Sequence, residues 1–155
     1  MGLKKTAGVI LAGLALFFAL FVNISCDSSS DATYPEDSPG IVWQSDYHAG
    51  LAMAKENDKP VLLAFHASWC GPCVEMKKST YRDPKVVQLI EKGFVPIMID
   101  VDQKPDLAAK YNVYGIPSYD VLGSDGSHLT HFEGFFPAGD FVKQLSKDLS
   151  KANPG

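Results

Sequence analysis

The sequence predicts an α/β domain with a mixed central sheet of four or five strands and helices on both faces. Three observations carry that expectation. Residues 61–65 are a continuous apolar run and residues 95–101 read as the next buried strand, as expected for a sheet covered on both sides. Helical segments alternate with them, the pattern of strands joined by crossovers. The chain then closes with a hairpin signal, Ser124-Asp125-Gly126, and an amphipathic helix, which adds an antiparallel pair.

Taken in order, Ile41-Val42-Trp43 reads as a short first strand. Ser45 or Asp46 offers an N-cap for a helix over residues 47–57, with Leu51 and Ala54 toward the core. The strand at 61–65 leads directly into Cys70-Gly71-Pro72-Cys73, from which a helix runs on through Met76. Asp83-Pro84 restarts a helix, with Asp as N-cap and Pro in the first turn. Val86, Val87, Leu89 and Ile90 form its apolar side, and Gly93 is expected to stop it. A strand at 95–101 and a short helix at 106–111 lead to Tyr114-Gly115-Ile116-Pro117. Strands at 118–122 and 129–133 flank the hairpin turn. A last helix over 138–150 aligns Phe141, Val142, Leu145 and Leu149 on one face.

The 155 residues suffice for one domain and a targeting segment. Lys4 and Lys5 precede an uncharged apolar stretch at 7–22, then Ser25-Cys26-Asp27 and a serine run. This is the layout of a secretory signal peptide over residues 1–25. Cys26 after a small residue resembles the lipobox of bacterial lipoproteins, which implies lipidation of Cys26, although Asn23 stands where such motifs usually carry Leu. An uncleaved membrane anchor and a cleaved signal leaving a free Cys26 are the rival readings. All three put the domain outside the cytoplasm. Residues 26–40, rich in Ser, Asp, Pro and Gly, read as a flexible tether, residues 41–151 as the domain and 152–155 as a tail.

Net charge is −4 and no long basic run occurs, so nothing points to nucleic acid. Three cysteines are too few for a disulfide framework; they read as one working pair and one cysteine with a separate fate. Two thiols separated by two residues can form a disulfide, exchange it with a substrate and resolve the mixed disulfide. A helix N-terminus stabilises a thiolate there, so Cys70 is the expected nucleophile and Cys73 the resolving thiol. No metal and no organic cofactor is required. A zinc site completed by His128 and His131 is disfavoured, because strand alternation points those two rings to opposite faces. Covalent haem needs a histidine after the second cysteine, and Val74 stands there.

Trp69-Cys70-Gly71-Pro72-Cys73 after a buried strand, with Ile116-Pro117 about forty residues on, resembles the thioredoxin family over roughly residues 41–151. Segments 43–60 and 77–84 further resemble bacterial extracytoplasmic thioredoxin-like proteins, including C-terminal domains of membrane reductases. The resemblance implies the thioredoxin fold, a cis Pro117, and a docking surface built from Trp69, Gly71, Pro72, Ile116 and Pro117. Gly71-Pro72 between the cysteines matches the reducing members, which implies oxidised protein cysteines as substrates and a membrane redox partner as electron donor. Dimerisation segments of the kind isomerases often use are not evident, so a monomer is expected.

Two departures stand out. The buried Asp that thioredoxins keep six residues before the first cysteine is Ala64 here, and their nearby Lys is Met98. Water or Glu75 is left to deprotonate Cys73, and His66 is a candidate for tuning Cys70. Tyr114 and Tyr119 are expected to be packing or rim residues, and Phe135-Phe136-Pro137 either packs a loop against a helix or extends the docking surface. The rival functions are a disulfide oxidase or isomerase and a non-catalytic binding module with the same fold.

Overall fold

A computed structural model describes residues 40–152. The expected signal peptide, the lipidation site Cys26 and all but the last residue of the expected tether lie outside the described residues.

Nine regular elements follow one another. They are α1 (Tyr47–Asn57), β1 (Val61–His66), α2 (Gly71–Lys78), α3 (Pro84–Gly93), β2 (Val95–Asp100), α4 (Pro105–Lys110), β3 (Ser118–Leu122), β4 (His128–Glu133) and α5 (Ala138–Ala152). A 3-10 turn, Thr80–Arg82, joins α2 to α3. The strands form one four-stranded sheet in the order β2-β1-β3-β4. β1 runs parallel to β2 and antiparallel to β3, and β3 is antiparallel to β4.

The local signals explain most boundaries. Asp46 caps α1 by accepting from the Ala49 N–H at 2.8 Å, and Asp83 caps α3 by accepting from Lys85 and Val86. Proline occupies the first turn of α2, α3 and α4, where its missing N–H costs nothing. Gly126, at φ 82°, supplies the left-handed residue of the β3–β4 turn.

Alternate residues of β1 serve two separate cores. Leu62 and Ala64 join Met76, Ile90, Phe94, Phe141 and Leu145, so that α2, α3 and α5 cover one face. Val61, Leu63 and Phe65 join Tyr47, Ala54 and Ile97, with Leu107 and Tyr111 packed alongside, so that α1 and α4 cover the other. From Val61 to Phe65 no residue is more than 2% exposed, which is why the sequence there shows no alternation.

Three expectations change. Ile41-Val42-Trp43 does not form a strand; only Gln44 makes an isolated bridge, to Ile97 of β2. The Val42 N–H donates to the Glu91 carboxylate at 2.9 Å and the Trp43 ring lies 5.1 Å from that of Tyr81, so side chains take the contacts a ladder would need. Gly93 is helical and does not adopt a left-handed stop; α3 ends at the extended Phe94. What Gly93 provides is room, since a Cβ there would meet a Leu149 methyl at 2.9 Å. The third change concerns β4. Val121 pairs with Thr130 but Leu122 pairs with His128, leaving Leu129 as an extra residue. That irregularity breaks the alternation and brings His128 and His131 to the same carboxylate, that of Asp120.

Gly50 and Gly139 offer opposite tests of this packing. A Cβ on Gly50 of α1 would sit 2.4 Å from the Ile97 side chain, whereas one on Gly139 of α5 meets nothing within 4 Å. Gly50→Ala should therefore destabilise by about 1 kcal/mol, overpacking outweighing the helix-propensity gain. Gly139→Ala should stabilise by roughly 0.5 kcal/mol. Urea unfolding midpoints of the two variants check both signs.

Candidate active site

β1 ends at His66, and the chain leaves the sheet through Ala67 into the turn that starts α2. Cys70 is the N-cap of that helix. Its sulfur accepts a hydrogen bond from the Cys73 backbone N–H at 3.1 Å, so one of the orphan amides of the helix start points at the sulfur. Cys70 and Cys73 are joined in a disulfide with an S–S distance of 2.02 Å and Cα atoms 5.2 Å apart. Both residues are almost fully buried, and their wall is apolar: Ala67, Val101 and Ile116.

The Ile116–Pro117 peptide is cis. The Ile116 carbonyl oxygen lies 3.5 Å from the Cys70 sulfur. In the disulfide that sulfur carries no hydrogen, so this is a contact; a thiol at the same place can donate to the carbonyl. Trp69 is 69% exposed and Tyr114 92% exposed, both far above what large aromatic side chains normally show. They flank a cleft of about 360 Å³ whose wall also includes Val113, Gly115 and Ile116. The Trp69 indole N–H donates to the Asp102 carboxylate at 2.8 Å, which fixes the ring while leaving its face open.

The sequence-predicted residues thus fall into two groups. Cys70, Cys73, Trp69, Gly71, Pro72, Ile116 and Pro117 meet at the end of the sheet where β1 stops. Glu75 is exposed on α2, with its backbone carbonyl accepting from Ser79, and makes no hydrogen bond to either cysteine. His66 lies four residues before Cys70 at the end of β1, and its Nδ1 is 3.1 Å from the Lys77 ammonium. Burial, and then the Lys77 charge, hold its imidazole below the usual histidine range, while Asp100 works in the other direction.

The two departures from the family pattern are packed over. Ala64 is 2% exposed and lies in register between Met98 of β2 and Tyr119 of β3. The Tyr119 hydroxyl bonds that of Tyr81 at 2.9 Å, and burial raises both phenols well above their ordinary range. Phe136 is a packing residue, its ring 5.5 Å from that of Phe132 and its carbonyl accepting from the Thr80 hydroxyl at 2.6 Å. Phe135 next to it is 44% exposed. Asp102, which holds the Trp69 ring, is the contact at this site that sequence reading passed over; its signal was a carboxylate just past the end of a buried strand.

A family model described as thioredoxin-like matches residues 42–124. Thioredoxin Y2, chloroplastic, of Arabidopsis thaliana is 33% identical over 63% of this chain and 56% of its own length. The thiol:disulfide interchange protein DsbD of Vibrio vulnificus strain YJ016 is 32% identical over 94% of this chain and 26% of its own. The chain therefore spans about half the length of the first relative and a quarter of the second. Among solved structures, the oxidised C-terminal domain of Neisseria meningitidis DsbD is 31% identical with a TM-score of 0.57, covering 69% of this chain and 99% of that one. A thioredoxin from Thermus thermophilus is 28% identical with a TM-score of 0.67, covering 74% and 92%.

Removing the cation beside His66 should release part of its depression. Lys77→Met should move the His66 titration upward, toward about 6.5, the usual histidine value. A histidine depressed in the folded state favours folding above its unfolded value and loses that contribution as pH falls through it. The variant should accordingly lose less stability than the wild type between about pH 7 and pH 5. Ring-proton NMR titration of His66 checks the first expectation and unfolding at the two pH values the second.

Proposed function

The chain belongs to the thioredoxin-like family, and on that premise we propose that it is an extracytoplasmic thiol–disulfide oxidoreductase that reduces protein disulfides through Cys70 and Cys73. The observation that carries the proposal is the placement of the Cys70 sulfur. It caps α2, receives the Cys73 amide and lies against the Ile116 carbonyl, at the edge of an apolar cleft open to a peptide.

In the reduced protein a Cys70 thiolate attacks one sulfur of a substrate disulfide. The Cys70–substrate bond forms as the substrate S–S bond breaks, and the released thiolate takes a proton. Cys73, losing its own proton, then attacks the Cys70 sulfur. The domain becomes the disulfide seen here and the second substrate sulfur leaves as a thiol. Two electrons and two protons pass to the substrate, and the exchange itself uses only sulfur chemistry. The Ile116 backbone and the exposed faces of Trp69 and Tyr114 supply an edge and an apolar platform for an extended substrate strand.

An export signal followed by Cys26 supports a membrane-held domain outside the cytoplasm, with lipid on Cys26 as anchor. In that setting the disulfide must be reduced again by a donor, and a membrane redox partner fits the requirement. One of the relatives bears a chloroplast name, whereas the N-terminal pattern of this chain favours export across a bacterial membrane.

Two measurements test the reading. Cys73→Ser should accumulate mixed disulfides on Cys70 that Cys70→Ser does not form; equal trapping by both variants would reverse or remove the assigned roles. The Cys70–Cys73 couple should equilibrate near the thioredoxin figure of about −270 mV, whereas a value near −120 mV would make the protein an oxidant. A binding module would retain its partners with both cysteines replaced by serine.

A further inference from the structure

The end of the sheet that carries the disulfide also gathers an uneven set of charges. β2 pairs parallel with β1, and two antiparallel steps through β3 bring β4 into the same direction. The C-terminal ends of both edge strands therefore lie at the level of the cysteine turn. Asp102 stands just past one of them, and Glu133 is the last residue of the other. Asp102 accepts from the Trp69 indole at 2.8 Å. Glu133 pairs with Ser118 and reaches the cis-proline loop: a Cβ on Gly115 would lie 3.5 Å from its Oε2. Both acids are exposed, and among the described residues neither makes a salt bridge.

Three lysines that could answer them are turned elsewhere. Lys104 lines a separate cleft with Asp46, Lys110 donates to the Tyr47 hydroxyl at 2.9 Å, and the Lys77 ammonium is 3.1 Å from His66. Among the described residues, no charged side chain lines the cleft between Trp69 and Tyr114. What that cleft offers is two open aromatic rings, whose faces attract cations as well as apolar groups. Carboxylates at the end where a sulfur must hold negative charge oppose its ionisation. Positive charge on an incoming substrate removes that opposition at the moment of exchange.

We propose that this end of the domain selects protein segments in which arginine or lysine flanks the disulfide cysteine. The methylene stems lie across the Trp69 and Tyr114 rings, and the charged heads reach Asp102 and Glu133. Asp102, Glu133 and Tyr114 therefore decide which segment binds, while the sulfur chemistry stays with Cys70 and Cys73. The inference rests on the reading of the chain as a protein-disulfide reductase.

The test uses the full chain carrying Cys26→Ser, reduced beforehand, in single turnovers with three disulfide peptides. Each turnover converts the Cys70–Cys73 dithiol to its disulfide and the peptide disulfide to two thiols. The peptides differ only in the residues flanking each cysteine, which are Arg, Ser or Glu. Each rate is divided by that of the same peptide with dithiothreitol, which removes the peptide's intrinsic reactivity. At low ionic strength the Arg peptide should react about tenfold faster than the Glu peptide, with the Ser peptide between them. That ratio should fall toward one at about 1 M salt, where charges are screened within about 3 Å. Asp102→Asn and Glu133→Gln should each lower it about threefold. Tyr114→Ala should slow the Arg peptide more than the Ser peptide. Equal rates with the Arg and Glu peptides, or a ratio unmoved when both acids are neutralised, overturn the inference and leave the reductase reading standing. Failure to reduce any of the three peptides overturns that reading and the inference with it.

Discussion

Everything at the redox end depends on β1 being a middle strand. Its position between β2 and β3 satisfies its backbone on both edges, and its side chains are consumed on both faces. A strand held this completely cannot shift register without moving five apolar side chains to the wrong face. The place where it stops is therefore fixed, and with it the start of α2. Cys70 acquires its amide donor because it is the first residue after the turn that the strand end dictates. The Ile116 carbonyl reaches the same sulfur because β3, which begins two residues later, is locked against the other edge of β1.

Much of this was legible in the sequence, for a definable reason. Burial on both faces writes itself as an uninterrupted apolar run, and caps write themselves as Asp46 and Asp83-Pro84. These are local signals, decided within a few residues. The misreadings are places where a distant partner decides. Ile41-Val42-Trp43 has strand composition, but Glu91 and Tyr81, far along the chain, take its backbone and ring. Gly93 looked like a helix stop and is instead a space for Leu149 of α5. His128 and His131 were separated by the period of an ideal strand, and a one-residue irregularity reunited them. A bulge has no composition of its own in this hairpin, so periodicity could not reveal it.

The departures at Ala64 and Met98 were also visible in advance, but their consequence needed the structure. Removing a buried acid and base could leave a polar hole. Here the neighbouring positions close it: Tyr119 lies in register with Ala64, its ring stacks at 4.8 Å on Phe132, and its hydroxyl is satisfied by Tyr81. The aromatic cluster around Tyr119 thus replaces a proton-handling pair with packing, and among the described residues no carboxylate or ammonium hydrogen-bonds either cysteine.

That replacement sharpens the difference between the two sulfurs. Both sit against the same apolar wall of Ala67, Val101 and Ile116, which disfavours negative charge on either. The helix start breaks the symmetry, because the Cys73 amide points at the Cys70 sulfur, and Cys73 lies inside the helix where it has no such donor. With no buried acid to assist Cys73, the asymmetry needed for ordered exchange comes from the backbone alone. In the proposed exchange, Cys70 is the sulfur that holds charge while waiting for a substrate, and Cys73 acts only once a mixed disulfide on Cys70 presents it with a neighbouring target. The division of labour proposed for the cysteines thus follows from where a helix begins, and the helix begins where the buried strand ends.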